Sequence, residues 1–190
     1  MDENFFKPFP EDLVSWLKKR GNPLPLAPEK ATGIVRDDLE KLTEEPLWRQ
    51  RKKKDLELAN SALSGLWLWF GYLDRAHEIC QDIPSSEGSY WHGIMHRIEG
   101  DFWNAKYWMR RVGSHPVHAE VRTALGKISE VATFDAGVVK GSFQGNLLLP
   151  ESFVDQCELA IGGTPEEAHT CRWIQTCEWR SLMLYCLSGL

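Results

Sequence analysis

Two histidines and a glutamate, His92, His96 and Glu99, stand four and three residues apart. On a helix that spacing puts all three on one face. Two imidazoles and a carboxylate so placed can hold zinc or iron and leave one position for water or a substrate. They can equally serve as a metal-free acid–base or ligand-contacting group. His115 and His118, beyond the partner helix, are candidates for the same mouth. The His-Glu-x-x-His order of zinc proteases is absent, because Gly93 occupies the glutamate's place. The plainer alternative is a pair of core histidines bonded to backbone or to neighbouring acids. Against it stands their company: a helix carrying Trp91, Ile94, Met95 and Ile98 has no packing need for two imidazoles one turn apart. Leucine would fill that space without desolvating a polar ring.

Other groups carry weaker chemical signals. Trp91, Trp103, Tyr107 and Trp108 are interleaved with Arg97, Lys106, Arg110 and Arg111. Such a mixture suits an anionic aromatic ligand or cation–π stacking, or is simply core and snorkelling surface. Arg49, Arg51, Lys52, Lys53 and Lys54 form a basic run, read either as a phosphate or acidic-partner contact or as a solvated helix start. The five cysteines, Cys80, Cys157, Cys171, Cys177 and Cys186, include no Cys-x-x-Cys pair. Cys171 and Cys177 are six apart and share no helical face, so a catalytic thiol is not indicated. Gly-x-Ser-x-Gly and the phosphate-binding loop ending in Lys-Ser/Thr are both missing.

Composition narrows the class. The chain has 190 residues and a net charge of −5 at pH 7, with +2 on residues 1–54 and −7 on the rest. An acidic chain with pI near 5.7 is a poor candidate for nucleic-acid binding. The longest apolar stretch, Leu66 to Phe70, is far short of the roughly 20 residues of a membrane-spanning helix, so no membrane partner is expected. The N-terminal residues have no secretory pattern, and thiols without disulfide spacing point to a reduced, cytoplasmic protein. Nine tryptophans, five of them between Trp67 and Trp108, promise much buried area and a pocket or interface.

The elements that must position these groups read as helices throughout. Pro10-Glu11-Asp12 starts a first helix, and Lys18-Lys19-Arg20 before Gly21 ends it, the charge order that the helix dipole favours. Proline and glycine over 21–34 predict an extended arm along the body. Helices are expected over 36–45, 47–70, 72–83, 89–99, 102–112 and 117–132 from the spacing of apolar positions. Residues 134–149 read as loop with a short β-hairpin. Further helices follow at 151–161 and from Thr164, where Thr164, Pro165 and Glu167 spell a capping box, to about 187. The fold class is therefore all-α, a single domain of 1–190. Its parts are an N-terminal helix and arm (1–45), helical hairpins (46–132), a loop (133–149) and C-terminal helices (150–190).

Residues 63–83 and 92–112 match at an offset of 29: Gly71-x-Leu73-x-x-Ala76 corresponds to Gly100-x-Phe102-x-x-Ala105. Glycine frees the turn between two helices, and alanine lets the second pack close to the first. Gly93, Gly100, Ala105 and Pro116 follow in the order of the tetratricopeptide repeat, which this stretch of about 62–132 resembles. The period of 29 departs from that family's 34, and two clear units stand where three or more are usual. The segment Trp91-His92-Gly93-Ile94-Met95-His96-Arg97, running on to Trp108, is also similar to a stretch found in uncharacterised bacterial and fungal proteins. The repeat resemblance implies antiparallel hairpins with flanking capping helices. It also implies a protein, peptide or small-molecule partner on exposed first-helix positions, Tyr90, Ile94 and Arg97, with Trp91, Trp103 and Tyr107 beside them. The resulting expectation is a helical binding or scaffold protein that needs no cofactor. The rival is a metal-dependent or acid–base enzyme using His92, His96 and Glu99 with zinc or iron.

Overall fold

The computed structural model describes residues 1, 3–31, 33–42, 53–128 and 133–189. The all-α class holds. In chain order the described helices are α1 (Glu3–Phe6), α2 (Glu11–Leu17), α3 (Gly33–Leu42), α4 (Lys53–Trp69), α5 (Leu73–Cys80), α6 (Ser86–Glu99), α7 (Phe102–Val112), α8 (Val117–Ile128), α9 (Ala136–Ser142), α10 (Pro150–Ile161) and α11 (Pro165–Ser188). The expected β-hairpin is present as β1 (Phe143–Gln144) and β2 (Leu147–Leu148), paired antiparallel with Phe143 opposite Leu148. The basic run from Arg49 to Lys54 lies outside the described side chains, and so does the end of the expected helix beyond 128.

Two hairpins, α4–α5 and α6–α7, stand side by side, with α5 packed on α6. Each turns at a glycine with φ +84°, Gly71 and Gly100, a backbone conformation that side chains with a Cβ resist. The matched alanines, Ala76 and Ala105, are fully buried, and Ser64 donates to the Ala76 carbonyl at 2.9 Å. The offset of 29 in sequence is thus a repetition of turn and close approach in space. Asp101 caps α7 by accepting the Asn104 N–H at 3.1 Å.

The last helix departs from its expected place. It packs back on the hairpins, as a capping helix would, but runs through the middle of the molecule, against α8, α4, α10 and α6. Cys171, Ile174, Cys177, Trp179, Leu182, Met183 and Cys186 are all fully enclosed. A helix covered on nearly every side loses the one-faced periodicity that marks a surface helix. Its start follows the sequence reading: Thr164 accepts the Glu167 N–H at 3.2 Å, and Glu167 accepts the Thr164 N–H at 2.6 Å.

The N-terminal arm is strapped to this central helix. The Leu24 N–H donates to Thr176 Oγ1 at 2.8 Å, Gln175 donates to the Pro25 carbonyl at 2.6 Å, and Arg180 donates to the Phe5 carbonyl at 2.8 Å. Residues 136–142, expected as loop, form α9, started by Asp135 accepting the Val138 N–H at 2.8 Å. Gly137 and Gly141 disguised that helix. At Gly141 a Cβ would lie 2.7 Å from the Gln156 side chain, so the residue serves close packing on α10 rather than a loop.

Candidate functional site

Three histidines meet where the two hairpins touch. His92 and His96 lie one turn apart on α6, and His77 reaches them from α5. One ring nitrogen from each of the three lies within 4.8 Å of the others. The His92 and His96 rings stack at 4.7 Å and 16°. His77 stands edge-on to both, with centroids at 4.6 Å from His92 and 5.3 Å from His96. On the opposite side of His92, Trp108 of α7 stacks at 3.9 Å and 16°. Gly93 faces α7, where a Cβ would meet the Met109 side chain, Cε at 2.9 Å.

The two ends of the His96 ring are both engaged. Nδ1 lies 3.1 Å from Glu99 Oε2, and the Asn104 amide nitrogen lies 3.1 Å from Nε2. A carboxylate only accepts, so Nδ1 carries the proton and donates to Glu99; the Nε2 lone pair accepts from Asn104. Burial, together with the charges that His96 and His77 would carry, pushes His92 down to about 3. Burial also lowers His96, against the opposing pull of Glu99. Both are neutral imidazoles near pH 7, the form that coordinates metals.

The structure rearranges the expected site residues. His92, His96 and Glu99 share a face, but Glu99 acts on His96, and the third member of the nitrogen cluster is His77. Sequence reasoning missed His77, although it lies beside Ala76 and one turn before Cys80, both on the buried face of α5. His115 and His118 do not share the mouth. They gather around Tyr90, with ring centroids 5.5 and 5.4 Å from it, and His115 Nε2 lies 3.5 Å from Glu87 Oε1.

Tyr90, Trp91, Ile94 and Arg97, expected on an exposed binding face, are all buried. Every residue of α6 from Glu87 to Ile98 is enclosed, because α5, α7, α4 and α11 surround it. Trp103 and Tyr107 are the exposed members of that set, at 76% and 40%. Their rings run nearly parallel, 6.5 Å apart at 11°, along the outer face of α7. Tyr107 meets Trp108 edge-on at 5.4 Å, and the Arg111 guanidinium lies over both, at 5.9 Å from Tyr107 and 5.2 Å from Trp108. The other cations of this helix are engaged: Lys106 pairs with Asp155, and Arg110 with Glu151 at 2.7 Å, tying α7 to α10.

The cysteines offer no nucleophile. All five are free and buried. Burial pushes Cys80, Cys177 and Cys186 up to about 12 and Cys157 well above its ordinary value, so these four are protonated near neutrality. Among the described residues no helix is long and apolar enough to cross a membrane. Comparison with known proteins finds no matching family, no similar curated protein and no similar solved structure. Function must therefore be argued from these side chains.

Proposed function

We propose that this chain is a helical binding protein that takes a protein or peptide partner on the outer face of α7. The observation that carries this reading is the exposed Trp103, laid parallel to Tyr107 on one face of the helix. Tryptophan, tyrosine and arginine are the side chains that most often dominate binding energy at interfaces. Here Trp103, Tyr107 and Arg111 occupy successive turns of α7. The helix beneath them is rigid: Ala105, Met109 and Val112 anchor its inner face, and two ion pairs fasten it to α10. A rigid aromatic platform loses little side-chain freedom on binding. The Arg111 cation favours a partner segment that pairs an aromatic or apolar anchor with an acidic group.

A photo-crosslinking residue placed at position 103, and separately at the exposed Leu159 of α10, tests the reading in the host cell. Discrete adducts at 103 that are absent at 159, and that fade when Tyr107→Ala is added, are expected. The same adducts at both positions, or adducts at 103 that persist undiminished in Tyr107→Ala, would sink it.

A further inference from the structure

The histidine cluster lies on the inner side of α7, with Trp108 between His92 and the exposed platform of Tyr107 and Arg111. We propose that His77, His92 and His96 form a binding site for a divalent transition metal of the zinc class, with Glu99 orienting His96. His92 does not behave as an ordinary core histidine. His92 is 4% exposed, yet its Nδ1 is enclosed without a hydrogen-bond partner. A buried polar atom left unpaired is costly, and a hydrophobic side chain at this position would avoid that cost. The His96 tautomer is fixed by Glu99 at Nδ1. A carboxylate behind a histidine is the arrangement that orients ligating imidazoles and raises their basicity.

The donor set selects the ion. Three imidazole nitrogens suit zinc, copper, nickel or iron, whereas magnesium and calcium require oxygen ligands. Zinc–nitrogen bonds of about 2.0–2.1 Å around a tetrahedron bring the nitrogens to roughly 3.4 Å of one another. From the present limit of 4.8 Å that is a contraction of about 1.4 Å. His77, half-buried at the rim of α5, has room to approach, and the nearly parallel His92 and His96 rings turn out of their stack so that both lone pairs meet one ion. The His96 lone pair is on Nε2, where the Asn104 amide now donates. An ion bound there displaces that amide, so Asn104 is not a required ligand. Three protein nitrogens leave a fourth position for water or another small donor.

The test uses the full chain without a polyhistidine tag, stripped with chelator and titrated with Zn²⁺ alone and with Co²⁺ alone. About one Zn²⁺ per chain is expected, with a Zn²⁺-dependent rise in Tm and the intense visible Co²⁺ absorption of a four-coordinate site. His77→Ala should melt like the metal-free wild type and lose the Zn²⁺-dependent rise in Tm. His96→Gln should lose the Co²⁺ spectrum. Glu99→Gln should bind roughly 10–100-fold more weakly, as for other carboxylates behind metal-bound histidines. Asn104→Ala should bind at least as tightly as wild type. No uptake by the wild type, or an unchanged Zn²⁺ affinity in His77→Ala, overturns the site. Equal affinity in Glu99→Gln overturns the orienting role.

Discussion

Arg97 on α6 and Glu178 on α11 form an ion pair whose side chains are both wholly shielded from water. Arg97 also donates from Nε to Gln175 Oε1 at 2.8 Å, and its guanidinium lies 4.5 Å from the centre of the Phe153 ring. The pair therefore locks the first helix of the second hairpin to the central helix. Removing one member strands the other charge in the core, which typically costs about 3–5 kcal/mol. Arg97→Ala is accordingly expected to destabilise by that order in urea unfolding. The double variant Arg97→Met/Glu178→Leu should recover much of the loss, because a buried pair replaced by apolar groups of similar size is often neutral. If Arg97→Ala melted like wild type, the pair would not be structural.

Acid should weaken the fold through the cluster around Tyr90. Burial pushes His118 down to about 4 from 6.5, so the unfolded chain takes up its proton first as pH falls. Glu87 is held down to about 2, chiefly by its bond with His115, against an ordinary value of 4.5. Both folded-state values are depressed, so both contributions are complete above the unfolded values and drain away on acidification. That of His118 is lost between about pH 6.5 and 4, and that of Glu87 between about pH 4.5 and 2. The groups facing this cluster, Tyr90, His115 and Tyr185, come from α6, the turn before α8 and α11. Urea unfolding at pH 7, 5.5 and 4 should show falling stability, with unfolding of His118→Leu taking up as much as about one proton fewer than wild type within that range. Parallel pH profiles for the two proteins would refute the assignment.

What could be read from the sequence alone was local. The turn glycines Gly71 and Gly100, the alanines that follow them, and the Thr164–Glu167 box depend on neighbours a few residues away, and each appears where its spacing placed it. The site was half legible for the same reason: His92, His96 and Glu99 share one helix, whereas His77 joins them only because α5 packs on α6. Arg97 was read inside out. The repeat resemblance put it on an exposed first-helix face, and the acid that encloses it, Glu178, stands 81 residues further on. The central place of α11 was hidden by its own burial, which removes the apolar stripe that would have shown a facing direction.

Thr176 gives a sharp test of how the arm is held. Its hydroxyl accepts the buried Leu24 N–H at 2.8 Å and donates to the Arg172 carbonyl of its own helix at 2.7 Å. Valine has nearly the same shape but cannot accept, so Thr176→Val leaves the Leu24 N–H enclosed and unpaired. The expected cost is on the order of 1–3 kcal/mol, set by the stranded donor and not by lost packing. Because Gln175 still holds the Pro25 carbonyl, the arm should loosen around Leu24 before the helices separate. Amide hydrogen exchange should therefore quicken at Leu24 and Leu26 while the α6–α7 hairpin keeps its protection. Uniform acceleration across the chain would mean that the arm unfolds only with the core; no acceleration at Leu24 would mean that the Thr176 bond does not hold it.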